Sequence, residues 1–269
     1  MVLNMNSNYQ ELMQKEAFIC DMDGVIYHGN KLLPNVHEFV CWLQENNKKF
    51  LFLTNSSVRS PKELAQKLSR MGMDIDPSHF YTSALSTASY LAKQKPGCTA
   101  YVIGESGLIN ALYDMGISMN DVNPDYVVIG DGKTINYNMP NITKAVNLVL
   151  GGAKLIGTNP DITGPIEGGE IEPACRALVS PIEIATGKSA YFLGKPNPLM
   201  MRCGLSLLGC DEDDVAIIGD RMDTDIIAGI ESEIDTVLVM TGVTTKAIMR
   251  SFPYRPKYIL DGVGDVINN

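Results

Sequence analysis

The sequence predicts an α/β protein with a doubly wound, Rossmann-like parallel-sheet core and a second α/β domain inserted into it. Three observations carry this. Four short apolar runs stop abruptly at a polar residue: Ala17 to Cys20 before Asp21, Phe50 to Leu53 before Thr54, Tyr191 to Gly194 before Lys195, and Val215 to Gly219 before Asp220. Such runs mark strands buried on both faces. Helix-period segments lie between them, and alternation of this kind implies parallel strands. The third observation is length, since 269 residues exceed the usual size of one compact domain.

Taken in chain order, residues 1–16 read as a tail, carrying Glu11, Lys15 and Glu16 and no apolar stretch of signal-peptide length. After the first strand, Val36, Phe39, Val40 and Leu43 show the i, i+3, i+4, i+7 spacing of one buried helix face. A further helix follows the second strand. Ser60 and Glu63 form a capping box, Pro61 occupies the first helical position, Leu64, Leu68 and Met71 line one face, and Gly72 ends it. From Ser83 to Lys188 the chain carries its own alternation, with strands near Tyr101 to Ile103, Tyr126 to Ile129 and Lys154 to Ile156. Thr236 to Met240 and Tyr258 to Leu260 close the core as strands.

These elements divide into a core of 17–82 and 189–269 and an inserted domain of 83–188. One long doubly wound sheet is the competing arrangement. Insertion is preferred because the polar strand ends needed for one site come from before residue 60 and after residue 190.

Bulk properties narrow the function. A net charge of −9 with no Lys/Arg-rich run excludes a protein that grips nucleic acid through its phosphates. The six cysteines are scattered without a Cys-x-x-Cys pair and read as reduced thiols, and three unpaired histidines make a zinc site improbable. No run approaches a membrane span. A cytoplasmic enzyme fits.

The chemistry sits at the strand ends. Residues i and i+2 of an extended chain point the same way, so Asp21 and Asp23 can face one pocket, with Gly24 letting the chain turn. Ligands of parallel α/β sheets bind beyond the carboxyl ends of the strands, where Asp21, Thr54 and Asp220 should converge. Asp21, Asp220 and Asp225 bring three negative charges, and a phosphate monoester brings nearly two more. Two like charges about 4 Å apart repel by roughly 4 kcal/mol at an effective dielectric of about 20, more than Lys195 alone can balance. A divalent cation is required, and donors that are all hard oxygens select magnesium. An ordinary aspartate is protonated about one part in a thousand at neutral pH. Repulsion from ionised Asp21 raises the pKa of Asp23 and makes it an acid for a leaving alcohol.

Asp21-Met22-Asp23-Gly24-Val25, Leu53-Thr54-Asn55, Gly194-Lys195-Pro196 and Gly219-Asp220 with Asp225 together resemble the four motifs of haloacid dehalogenase superfamily phosphatases. With Thr158-Asn159-Pro160-Asp161 in the middle segment, their order and spacing are similar to the NagD-like branch, a resemblance running over nearly the whole chain after residue 16. It implies that Asp21 attacks phosphorus to form an aspartyl phosphate while Asp23 protonates the leaving oxygen and later activates water. It implies that Asp21, Asp220 and the main-chain carbonyl of Asp23 ligate magnesium, with Asp225 steadying the metal's waters. Gly24, Thr54, Asn55, Ser56 and Lys195 would surround the phosphate, and residues 83–188 would form the cap that chooses the leaving group, with Asn159 and Asp161 facing the substrate. The substrates implied are small phosphorylated metabolites, sugar phosphates or nucleoside monophosphates. The cap surface can support a homodimer.

Each motif alone has a plainer reading. Asp-x-Asp-Gly suits a turn, Thr-Asn-Ser a loop start or helix cap, a lysine before proline is usually solvated, and aspartates favour helix starts. Their ordered coincidence at four strand ends points to one site. A phosphotransferase or mutase would use the same phosphoaspartate, and a regulatory module could keep the fold without turnover. A dehalogenase needs no second acid two residues on, so Asp23 favours phosphate.

Overall fold

The computed structural model describes residues 5–132, 135–165 and 170–268. In chain order its strands are β1 (Ala17–Cys20), β2 (Tyr27–His28), β3 (Lys31–Leu32), β4 (Lys49–Thr54), β5 (Phe80–Thr82), β6 (Thr99–Ile103), β7 (Ser118–Met119), β8 (Tyr126–Ile129), β9 (Lys154–Gly157), β10 (Thr163–Pro165), β11 (Ile171–Pro173), β12 (Tyr191–Phe192), β13 (Val215–Gly219), β14 (Asp235–Val239) and β15 (Tyr258–Leu260). Most of the expected apolar runs are strands within a residue or two of their expected ends. The chain divides into two compact units, one of Met1–Leu53, Ala65–Phe80 and Met201–Asn269, the other of Thr54–Leu64 and Tyr81–Met200.

The first unit is built on a six-stranded sheet of order β15-β14-β13-β1-β4-β5, in which β1 runs parallel to both β13 and β4. Every residue of β1 and β13 is buried, as continuous apolar runs covered on both faces require. The helix Val36–Glu45 buries Val36, Phe39, Val40 and Leu43, the four positions the spacing marked. Phe39 and Trp42 meet Phe18 of β1 edge-on at centroid distances of 6.0 and 5.8 Å, so the helix is keyed to the strand by aromatic packing. In the second unit's segment Thr54–Leu64 the capping box forms as expected: the Ser60 N–H donates to the Glu63 carboxylate at 2.7 Å and the Glu63 N–H to the Ser60 hydroxyl at 3.4 Å. That main-chain donor, with the hydroxyl of Ser60, holds the Glu63 carboxyl below its ordinary value.

Of the residues expected as a tail, Met5–Gln14 form a helix with Leu12 fully buried, while residues 1–4 lie outside the described residues. Lys15 then pairs with Asp235 at 2.8 Å. Buried Leu12 and the ion pairs of Glu11 with Lys257 and Lys15 with Asp235 leave no periodic signal in a sequence, which is why the segment reads as featureless.

The second unit carries an all-parallel five-stranded sheet of order β12-β9-β8-β6-β7. Val128, Ile156 and Leu193 pack on one side with Leu91, Leu108 and Leu112, while Ile103, Val127, Ile129 and Leu155 pack on the other with Val149, Val179 and Ile182. This places the run before Lys195 differently from expectation. The run supplies β12, an edge strand of the five-stranded sheet, and not a strand of the sheet that holds Asp21. An apolar run ending in a polar residue marks a strand, but neither its burial nor the sheet that receives it: at this edge Tyr191 is exposed and Phe192 half-buried.

Candidate active site

β1 lies where the order of the six-stranded sheet reverses, since the chain continues from it to β4 and β5 on one side and later to β13, β14 and β15 on the other. Loops leaving the carboxyl ends of strands at such a point diverge and open a crevice. Asp21 follows β1 and Asp220 follows β13, the strands being paired through Cys20 and Ile218. The Asp21 N–H continues that ladder, donating to the Ile218 carbonyl at 2.9 Å. Asp225 sits in the π-helical turn Met222–Ile226 immediately beyond, a wider, under-wound turn of the kind that recurs at functional sites.

One carboxylate oxygen from each of Asp21, Asp220 and Asp225 lies within 4.8 Å of the others. Asp220 and Asp225 are buried and Asp21 half-buried. At that separation each ionised pair repels by about 3 kcal/mol at an effective dielectric of about 20. The donors are all hard oxygens with no histidine or thiol among them, so the group fits a divalent cation of the oxygen-preferring kind. Asp23 lies outside this trio. Met22 between the two aspartates is wholly buried while Asp23 is exposed, and the chain bends at Met22, whose carbonyl accepts from the N–H groups of Val25, Ile26 and Tyr27.

Close clearance around the aspartates explains several glycines. Gly24 has φ +81, and a Cβ there would stand 2.7 Å from Asp220 Oδ2. A Cβ on Gly242 would overlap the same carboxylate, and one on Gly219 would overlap Asp225. Hydrogen bonds then fix what the glycines admit. The Val243 N–H donates to Asp220 Oδ2 at 2.6 Å, the Arg221 N–H to Asp225 Oδ2 at 3.1 Å, and the Thr241 hydroxyl to the Gly24 carbonyl at 2.6 Å. The Gly24 N–H donates to the Tyr27 carbonyl at 2.9 Å, closing the turn that leads into β2.

The remaining expected residues gather in the second unit. Lys195 is 2% exposed. Its main chain clasps the Asn55 side chain: the Lys195 N–H donates to Asn55 Oδ1 at 2.7 Å, and Asn55 Nδ2 donates to the Lys195 carbonyl at 3.0 Å and to Asp161 Oδ2 at 3.1 Å. Asn159 Nδ2 donates to the Asn55 carbonyl at 2.7 Å. The Thr54 hydroxyl accepts from the Ser56 N–H at 3.1 Å, and the Ser56 hydroxyl accepts from the Val58 N–H at 3.4 Å. A Cβ on Gly194 would fall 2.6 Å from Asn55 Oδ1, so that glycine lets the two segments close. Asn159 and Asp161 follow β9 and Lys195 follows its neighbour β12, so this sheet too collects polar groups beyond its carboxyl ends.

Three residues of this machinery were missed from sequence: Asp131, Thr241 and Gly242. Asp131 comes two residues after the apolar run Tyr126–Ile129, the same signature that singled out Asp21 and Asp220. Thr241 and Gly242 follow β14 in the same way. The signal was present, but in a segment assigned to the inserted domain and at a strand without a carboxylate.

A profile described as haloacid dehalogenase-like hydrolase matches residues 18–118, and one described as HAD-hydrolase-like matches residues 192–266. A dihydroxyacetone phosphatase of Corynebacterium glutamicum is 42% identical over 250 residues, spanning 93% of this chain and 90% of that protein. The ribonucleotide monophosphatase NagD of Escherichia coli K12 is 37% identical over 248 residues, spanning 92% and 96%. The solved structure of a 4-nitrophenylphosphatase from Thermotoga maritima superposes with a TM-score of 0.91 at 32% identity, covering 96% of this chain and 98% of that one. The chain therefore belongs to the haloacid dehalogenase-like hydrolases. Within them it falls with the NagD-like phosphatases, whose E. coli structure matches it with a TM-score of 0.87.

Proposed function

We infer that the chain, a phosphatase of small phosphate monoesters, works through an aspartyl phosphate formed on Asp21. The observation that carries this is the meeting of the Asp21, Asp220 and Asp225 carboxylates beyond two adjacent parallel strands. Asp21 attacks phosphorus, and the bond from phosphorus to the ester oxygen breaks. Asp23, exposed and outside the carboxylate trio, gives its proton to that oxygen so that an alcohol leaves. Asp23 then takes a proton from water, the water oxygen attacks phosphorus, and inorganic phosphate leaves with Asp21 restored.

Asp21, Asp220, Asp225 and the Asp23 carbonyl are the groups that would hold magnesium, which supplies neutralising charge to the phosphate oxygens when bound. The Thr54 hydroxyl, Asn55 main-chain N–H, Ser56 and buried Lys195 are assigned the phosphate oxygens. The Asn55 carboxamide is engaged with Lys195 and Asp161, which favours the main-chain group. Gly24 supplies the clearance in which Asp220 lies. Residues 83–188 act as the cap, with Asn159 and Asp161 at the substrate.

The relatives bear the names dihydroxyacetone phosphatase, ribonucleotide monophosphatase and acid sugar phosphatase. Sugar phosphates and nucleoside monophosphates are accordingly the substrates proposed. No helix among the described residues is long and apolar enough to cross a membrane, and the six cysteines are free, which supports action in the reducing cytoplasm.

The test is phosphate release without added acceptor. Chelation should abolish release from p-nitrophenyl phosphate, and added magnesium should restore it. Asp220→Asn should raise the magnesium concentration needed for half-maximal rate. Turnover that survives chelation, or that needs an acceptor alcohol, contradicts the proposal.

A further inference from the structure

Asp131 follows β8, between the strands leading to Asn159 and to Gly104, and is half-buried. Four donors converge on its carboxylate. The Ser57 N–H and hydroxyl reach Oδ2 at 3.2 and 3.1 Å, Asn159 Nδ2 reaches Oδ2 at 2.6 Å, and the Cys175 N–H reaches Oδ1 at 2.9 Å. The Ser57 hydroxyl also accepts from the Asp131 N–H at 2.9 Å, closing a reciprocal pair. Cys175 is the first residue of the helix Cys175–Thr186, whose start has no side-chain cap of its own. Asp131 therefore caps that helix from another strand end.

Both segments held by Asp131 lead to the residues assigned to phosphate. Ser57 directly follows Thr54-Asn55-Ser56, and Asn159 uses the same nitrogen to donate to Asp131 and to the Asn55 carbonyl. We propose that Asp131 is a positioning residue for phosphate binding: its ionised carboxylate, by accepting from Ser57 and Asn159 together, sets the position of the Thr54–Ser56 main chain and, through Asn55, of Lys195. The inference rests on the assignment of Thr54, Asn55 and Lys195 to the phosphate oxygens.

Only the ionised form can serve. A protonated carboxyl must present a donor where four donors already point, and at least one of them then loses its acceptor. Burial pushes the Asp131 carboxyl up to about 6, with its hydrogen bonds opposing and the charge of Asp161 adding to the rise. The Cys175 thiol also faces it, itself pushed up to about 12 by burial and by Asp131, and Glu105 packs against the next residue, Gly132. The positioning effect is therefore present above about pH 6 and fades below it.

The experiment compares the wild type with Asp131→Asn, Ser57→Ala and Thr54→Ala, all as full chains with magnesium. It measures kcat/KM for p-nitrophenyl phosphate and inhibition by inorganic phosphate between about pH 5 and about pH 8, a range bracketing the Asp131 titration. Asp131→Asn should lower kcat/KM by about 10- to 100-fold near pH 8, the scale of an ångström of misplacement, and weaken phosphate inhibition. The wild-type-to-variant ratio should shrink as pH falls through about 6, because the wild type acquires the same defect. Taking the ratio cancels ionisation of the substrate and of every shared group.

A ratio that is flat with pH, or wild-type phosphate inhibition in Asp131→Asn, overturns the inference. If Asp131→Asn does not give a native circular-dichroism spectrum, Ser57→Ala decides instead. It removes one Oδ2 donor and the acceptor of the Asp131 N–H, and should weaken phosphate inhibition by a smaller factor in the same direction, and unchanged inhibition overturns the inference. Thr54→Ala separates the two layers. Unchanged phosphate inhibition there means the phosphate assignment itself has failed, whereas weakened inhibition beside a silent Asp131→Asn means that only the positioning role has.

Discussion

Beyond the six-stranded sheet, three carboxylates crowd within 4.8 Å, and glycines at 24, 219 and 242 give them room. Beyond the five-stranded sheet, amides, hydroxyls, one lysine and two aspartates hold one another through a chain of hydrogen bonds from Asp131 to Asn159 to Asn55 to Lys195. The first group is shaped by clearance and brings three carboxylates together, which suits it to a cation. The second is shaped by mutual satisfaction, which suits it to holding main-chain and side-chain donors still. Damage should therefore look different on the two sides.

The largest effect expected is on the nucleophile. Asp21→Asn should cut phosphate release from p-nitrophenyl phosphate by about 10⁴-fold or more while the unfolding midpoint barely moves. A variant keeping wild-type, magnesium-dependent turnover would show that the carboxylate group is not the reacting one. Next comes Gly242→Ala, whose methyl would overlap the Asp220 carboxylate. It should raise the magnesium concentration for half-maximal rate by about 10- to 100-fold, the cost typical of disturbing a ligand's support. An unchanged magnesium titration would remove clearance as the organising feature of that side.

On the other side, Asn159→Ala leaves Asp131 and the Asn55 carbonyl without their shared donor. It should destabilise the fold by about 1–3 kcal/mol in denaturant titrations and weaken phosphate inhibition, with the magnesium titration unchanged. A shift in magnesium dependence would show that the two groups are not separable in this way.

The smallest effect concerns pH. Burial raises the Asp235 carboxyl, but hydrogen bonds from Lys15 and Lys257 more than offset this and hold it below its ordinary value. A lowered folded pKa contributes stability above the ordinary value of 3.8 that is lost as pH falls through the folded value. Asp131, raised to about 6, has the opposite sign, so its titration alone makes the fold more stable as pH falls from above 6 toward 3.8. Asp235→Asn should cost less than about 1 kcal/mol at neutral pH and nothing in strong acid, measured as the difference in unfolding free energy from wild type.

Much of this was legible in the sequence where one periodic signal decides one element. Val36, Phe39, Val40 and Leu43 are the buried face of their helix, and Val215–Gly219 is the strand its apolar run announced. Asp21 and Asp220 meet because each stands just beyond one of two adjacent strands at a reversal of strand order, and the turn Met222–Ile226 brings Asp225 to them. Pieces of two or three residues, such as β2, β3, β10 and β11, carry too few positions for a period to register. The sheet to which β12 belongs is a question of partners, which no local pattern encodes. The need for Gly242 lies in Asp220, remote in the chain, and Asp131 differs from an ordinary loop aspartate only through donors supplied from three other segments.

The Asp21 N–H is hydrogen-bonded to Ile218 at the end of two fully buried strands, whereas Asp23 two residues later is exposed. Amides so placed trade their proton for deuterium only when the whole domain opens. Isotope uptake at position 21 therefore clocks global unfolding of the sheet, and uptake around position 23 clocks the local breathing through which a proton donor meets solvent.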